Sequence, residues 1–80
     1  MTLTVARADA LFTSDLRLGS KPTRAETTAA IAAAVREHHG HVSECASDVA
    51  WRYGEDAQTA AERMAWALVV VTNVYKRGSR

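Results

Sequence analysis

Eighty residues make one domain, and a chain this short buries only a little over ~60% of its unfolded surface, so its stability needs regular helix packing or association. Ten basic residues against nine acidic ones leave a net charge of +1, which excludes the electrostatic footprint of a nucleic-acid binder. The single cysteine, Cys45, excludes an internal disulfide and fits a reducing compartment.

The first ten residues lack the basic region and apolar core of a secretory signal. The longest apolar run, residues 64–71, is far shorter than the ~20 residues a bilayer crossing needs. A cytoplasmic protein without a membrane partner is expected.

The first helix is expected over residues 4–12, capped by Thr4, with Val5, Ala8, Leu11 and Phe12 near one face. Residues 13–22 read as a loop, because Ser14, Asp15, Gly19, Ser20 and Pro22 are turn formers. Leu16 and Leu18 are expected to pin that loop to the core.

The second helix has the clearest start. Thr23 and Glu26 form a T-x-x-E capping box just after Pro22, the only proline. It should run to about residue 39, with Gly40 as a left-handed cap and Thr28, Ile31 and Val35 facing inward. Its many alanines favour helix and let neighbours come close. A third helix is expected over residues 43–53, capped by Ser43 and ended by Gly54, with Cys45, Ala46, Val49, Ala50 and Tyr53 inside. The fourth should start from Asp56 as cap and run to about residue 75 or 76. The expected fold is therefore all-α: a single domain over residues 1–80, a compact bundle of four helices with the long C-terminal helix as its spine.

The last helix carries two apolar faces. At 100° per residue, Ala57, Ala61, Met64, Leu68, Val71 and Tyr75 form the expected core stripe. Opposite, among Glu62, Arg63 and Asn73, lie Trp66, Val69 and Val70, with Val74 at the flank. Either the first two helices cover both faces, or the second face is an association surface. Exposed apolar patches mark interfaces and Trp is enriched at their hot spots. Trp66, Val69, Val70 and Val74 are therefore the candidate partner-binding residues, with a homodimer or another protein as the partner.

Other chemistry has weaker signals. Val49-Ala50-x-x-Tyr53-Gly54 followed by a helix suits a helix-turn-helix, with Gln58, Thr59 and Arg63 positioned to meet DNA. Glu55 and Asp56, at the start of that recognition helix, would repel it. His38, His39, His41, Cys45 and Glu37 form the only metal-like cluster, yet H-H-x-H-x-x-x-C matches no established zinc spacing. A thiol or metal enzyme using His38, His41 and Cys45 is the third alternative, but a buried structural thiol is the better reading of Cys45. The chain has no phosphate loop, no G-x-S-x-G and no H-E-x-x-H. No catalytic residue, metal ligand or cofactor is assigned. Lys76, Arg77 and Arg80 read as solvated charges at a helix end.

The pattern Leu11-Phe12-x-Ser14-x-Leu16, then Pro22-Thr23, then Cys45-Ala46-x-x-Val49-Ala50-x-x-Tyr53-Gly54-Glu55-Asp56, then Thr59-Ala60-x-x-Arg63-Met64-x-Trp66-Ala67, resembles small uncharacterised helical proteins of actinobacteria, of the Streptomyces type. The resemblance spans most of the chain from Leu11 to about Val71. It implies a bacterial cytoplasmic protein and transfers no functional residue.

Overall fold

The computed structural model describes residues 2–76. Among them are four helices and no strand: α1 (Leu3–Phe12), α2 (Arg24–Glu37), α3 (Val42–Glu55) and α4 (Ala57–Val74). They form the all-α bundle that the apolar periodicity predicts, with α4 the longest. Arg77 and Arg80 lie outside the described residues.

Helix α1 starts two residues earlier than expected. Thr2, not Thr4, is its cap, and the Thr2 hydroxyl accepts from the Val5 amide at 3.1 Å. Both threonines have capping chemistry, and the earlier one adds residues to the helix. At the other end, the Thr13 and Ser14 hydroxyls donate back to the Ala10 and Leu11 carbonyls at 2.9 and 2.6 Å. Every residue from Ala8 through Phe12 is buried, so the C-terminal half of α1 is enclosed all round. Ala8 and Ala10 leave room for that enclosure, while Leu11 and Phe12 fill it.

Helix α2 opens with the expected capping box. The Thr23 hydroxyl accepts from the Glu26 amide at 3.1 Å, and the Glu26 carboxylate accepts from the Thr23 amide at 2.8 Å. It closes with a Schellman pattern: the Gly40 amide donates to the Val35 carbonyl and the His39 amide to the Arg36 carbonyl. The left-handed cap position belongs to His39, at φ 60°, and Gly40 follows it at φ 79°. The inward stripe is turned by one residue from the expected one. Thr27 and Ala34 are buried, Ile31 and Val35 flank them, and Thr28 is exposed. Thr27 can occupy the core because its hydroxyl donates to the Thr23 carbonyl at 2.8 Å.

Helix α3 is longer than expected at both ends. His41 is its N-cap residue without a side-chain hydrogen bond, and Ser43 lies inside. Gly54 also lies inside, with open space where a Cβ would stand. The helix continues through it because Asp56 supplies the stop. Asp56 alone separates α3 from α4, and its carboxylate accepts from the Thr59 amide and hydroxyl at 3.1 and 2.9 Å. Cys45 and Val49 point inward as expected, whereas Ala50 and Tyr53 are exposed.

Helix α4 is rotated from the expected stripe. Ala60, Ala67, Val70 and Val71 are buried, and Met64, Trp66, Val74 and Tyr75 pack at their margins. Ala57 and Ala61 are exposed, and Leu68 retains 38% of its surface. The rotation puts small Ala60 and Ala67 toward α1, so the two helices approach closely. It also covers Val70 and part of Trp66 and leaves Leu68 and Val69 exposed.

Candidate functional site

The loop between α1 and α2 forms one wall of a groove on α4. Leu16 packs on the core, but Leu18, expected to do the same, is 52% exposed. What pins the loop is Trp66, whose indole N–H donates to the Ser20 carbonyl at 2.9 Å. Gly19 makes the preceding turn at φ 86°, and the Ser20 amide and hydroxyl both donate to the Arg17 carbonyl. Pro22 then stiffens the entry to α2.

Between this loop and α4 lies a groove of about 350 Å³. Residues 19–22 form one side, and Trp66, Val69, Val70, Asn73 and Val74 form the other. Trp66, Val69, Val70 and Val74, singled out from the second apolar face, are thus brought together around one concavity. They are not equivalent. Val70 is 7% exposed and belongs to the core, and Trp66 and Val74 are half-buried against it. Val69, at 58% exposure, is the open apolar residue of the group. The sequence reading missed the loop wall. Its trace was the Gly19-Ser20-Lys21-Pro22 run itself, a tight turn fixed in front of a helix start.

The C-terminal end of the groove is cationic. The Arg24 guanidinium donates to the Val74 carbonyl at 3.3 Å. Arg7 and Arg24 sit 3.9 and 4.9 Å from the centre of the Tyr75 ring, and the Tyr75 hydroxyl is 2.6 Å from that of Thr28. Among the described residues, Lys21 is the one charged residue lining the groove itself.

The residues considered for DNA contact are differently employed. Arg63 donates from Nε to the Phe12 carbonyl at 2.6 Å and from Nη2 to the Ser14 and Leu16 carbonyls at 3.0 and 2.9 Å. It closes the C-terminus of α1 and is not available to a phosphate. Burial also pulls its pKa below the ordinary guanidinium value. Gln58 and Thr59 are exposed, but Thr59 is bonded to Asp56. The one-residue joint at Asp56 is shorter than the 3–4-residue turn of a helix-turn-helix.

The histidines serve the α2–α3 corner. The His38 ring lies between two acceptors, with Nδ1 2.7 Å from the Ala34 carbonyl and Nε2 3.4 Å from the Asp48 carboxylate. His39 Nδ1 is 3.0 Å from the Glu44 carboxylate. Among the described residues, no three His, Cys, Asp or Glu side chains gather in a metal-holding group. Burial pushes the Cys45 thiol up, with a hydrogen bond to Thr13 offsetting part of the rise. It therefore lacks the depressed pKa of a reactive cysteine.

The Ala34 carbonyl, followed by Asp48, raises the His38 pKa above its ordinary value. A raised folded-state pKa contributes stability that is complete below the unfolded value and is lost as pH rises through the folded one. Urea unfolding midpoints should therefore fall across that window in the wild type, and His38→Gln should flatten the fall. An unchanged slope in the variant would show that His38 is not the group responsible.

The fold and this groove define a small helical bundle with an apolar concavity on α4 and cations at the C-terminal end of that helix. No protein-family model, curated protein or solved structure matches the chain.

Proposed function

We propose that this protein is a non-enzymatic interaction or regulatory accessory module that presents the α4 groove to a protein partner, and that the partner is a second copy of itself. The observation that carries this reading is the convergence of Trp66, Val69, Val70 and Val74 on one groove with Val69 left open to solvent. A short chain gains stability from covering such a surface. The commitment of Arg63 to the α1 terminus favours this reading over DNA binding. A bacterial cytoplasmic setting is part of the same proposal, on the implication of the sequence resemblance alone, which adds no site residue.

Light scattering on a sizing column is the test. The wild type should run as a dimer and Val69→Glu as a folded monomer whose unfolding midpoint equals that of the wild type diluted below its dissociation constant. Val69 is the residue to change because its substitution leaves the core intact. A wild type that is monomeric at every concentration overturns the homodimer reading.

A further inference from the structure

We infer that the groove receives the exposed Trp51 of a second copy, an inference that rests on the self-association reading above. Trp51, on the outer side of α3, is 61% exposed and is the most exposed aromatic ring among the described residues. Among the described residues its indole stands mostly in solvent, and Trp is the residue type most enriched where interfaces bind hardest. Glu55 stands one turn further along the same face of α3 and has no ion-pair partner among the described residues. The neighbouring Arg52 is already paired with Asp48 at 3.6 Å. The outer face of α3 is thus an aromatic knob beside a free carboxylate.

The groove is its complement. Its walls are largely apolar, its volume of about 350 Å³ accommodates a bicyclic ring, and Lys21, the one charged residue on its walls among the described residues, has the sign opposite to Glu55. Asn73 on the α4 wall carries an amide oxygen that can accept from an indole N–H. Knob and groove come from different elements of the chain, so a two-fold axis makes the contact twice, each copy's knob in the other's groove, and the pair closes.

Complementation between two variants tests this directly. Trp51→Ala keeps the groove and loses the knob, whereas Val69→Glu keeps the knob and sets a carboxylate opposite Glu55. Each alone should weaken association by about thirtyfold or more while retaining the wild-type helical signal, and its unfolding midpoint should fall only to that of the wild type diluted to monomer. Mixed, they should regain a one-to-one complex by light scattering. If Trp51→Ala associates as the wild type does, the inference is overturned while the groove reading stands, because groove then meets groove. If both variants are monomeric and their mixture forms no complex, the knob-in-groove contact is overturned. A monomeric wild type overturns both readings together.

Discussion

Replacing Arg63 with methionine should destabilise the domain by about 3 kcal/mol. Three charge-assisted hydrogen bonds to the Phe12, Ser14 and Leu16 carbonyls disappear at once. Bonds to charged groups contribute about 1.5–3 kcal/mol each, but water can reach some of these part-buried carbonyls, so the sum is not realised in full. For a domain of this size the melting temperature should drop by roughly 12–24 °C, at about 4–8 °C per kcal/mol. The total stability expected of 80 residues is about 4–12 kcal/mol, so the variant would keep about 1–9 kcal/mol and lose between a quarter and three quarters of the total. Arg63→Lys should recover less than half of the loss, because one ammonium cannot match a planar fork that serves three carbonyls. Thermal unfolding of the two variants checks this. A loss below about 1 kcal/mol would mean that solvent replaces the guanidinium and that the α1 terminus closes without it.

Val70→Glu should prevent folding at neutral pH, in contrast to Val69→Glu one residue away. Val70 is 7% exposed and packed with Ala8, Leu11, Ala67 and Val71. A carboxylate there has no partner in the cluster, and burying it costs more than about 4 kcal/mol beyond the lost apolar contact. Burial would raise the pKa of the introduced acid above its unfolded value. Its folded form would then bind the proton more tightly, and stability would return as pH falls through that raised value. Circular dichroism should show little cooperative unfolding for Val70→Glu at neutral pH and a recovered transition in mildly acidic buffer. A normal transition at neutral pH would mean that the carboxylate reaches solvent and that Val70 is rim rather than floor.

The contrast between these neighbours shows what periodicity could and could not deliver. Two helix starts were legible from local capping chemistry: the Thr23–Glu26 box and the Asp56 cap depend on residues three apart, and both formed; at α1 two threonines offer the same chemistry, and the sequence alone did not choose Thr2 over Thr4. The rotation of α4 was not legible. A helix apolar around more than half its circumference has several stripes of similar quality, and only packing against α1 chose the one containing Ala60 and Ala67. Gly54 reads as a stop by its type, yet its helical role is set by Asp56 two residues on. Arg63 carries no local mark of its partners, which lie 47 to 51 residues away in the chain. The outward position of Trp51 could have been read, since it falls on the side of α3 opposite the Cys45 and Val49 stripe.

Asp56 has one more consequence. Because one residue ends α3 and starts α4, the chain has no slack between the helix that carries Trp51 and the helix that lines the groove. The position of the knob relative to the groove is therefore set by the angle at this elbow, and the reciprocal pair proposed above needs that angle to place both across one two-fold axis. A glycine inserted beside Asp56 should open the elbow and weaken the pair while leaving Trp51 and the groove residues unchanged in sequence.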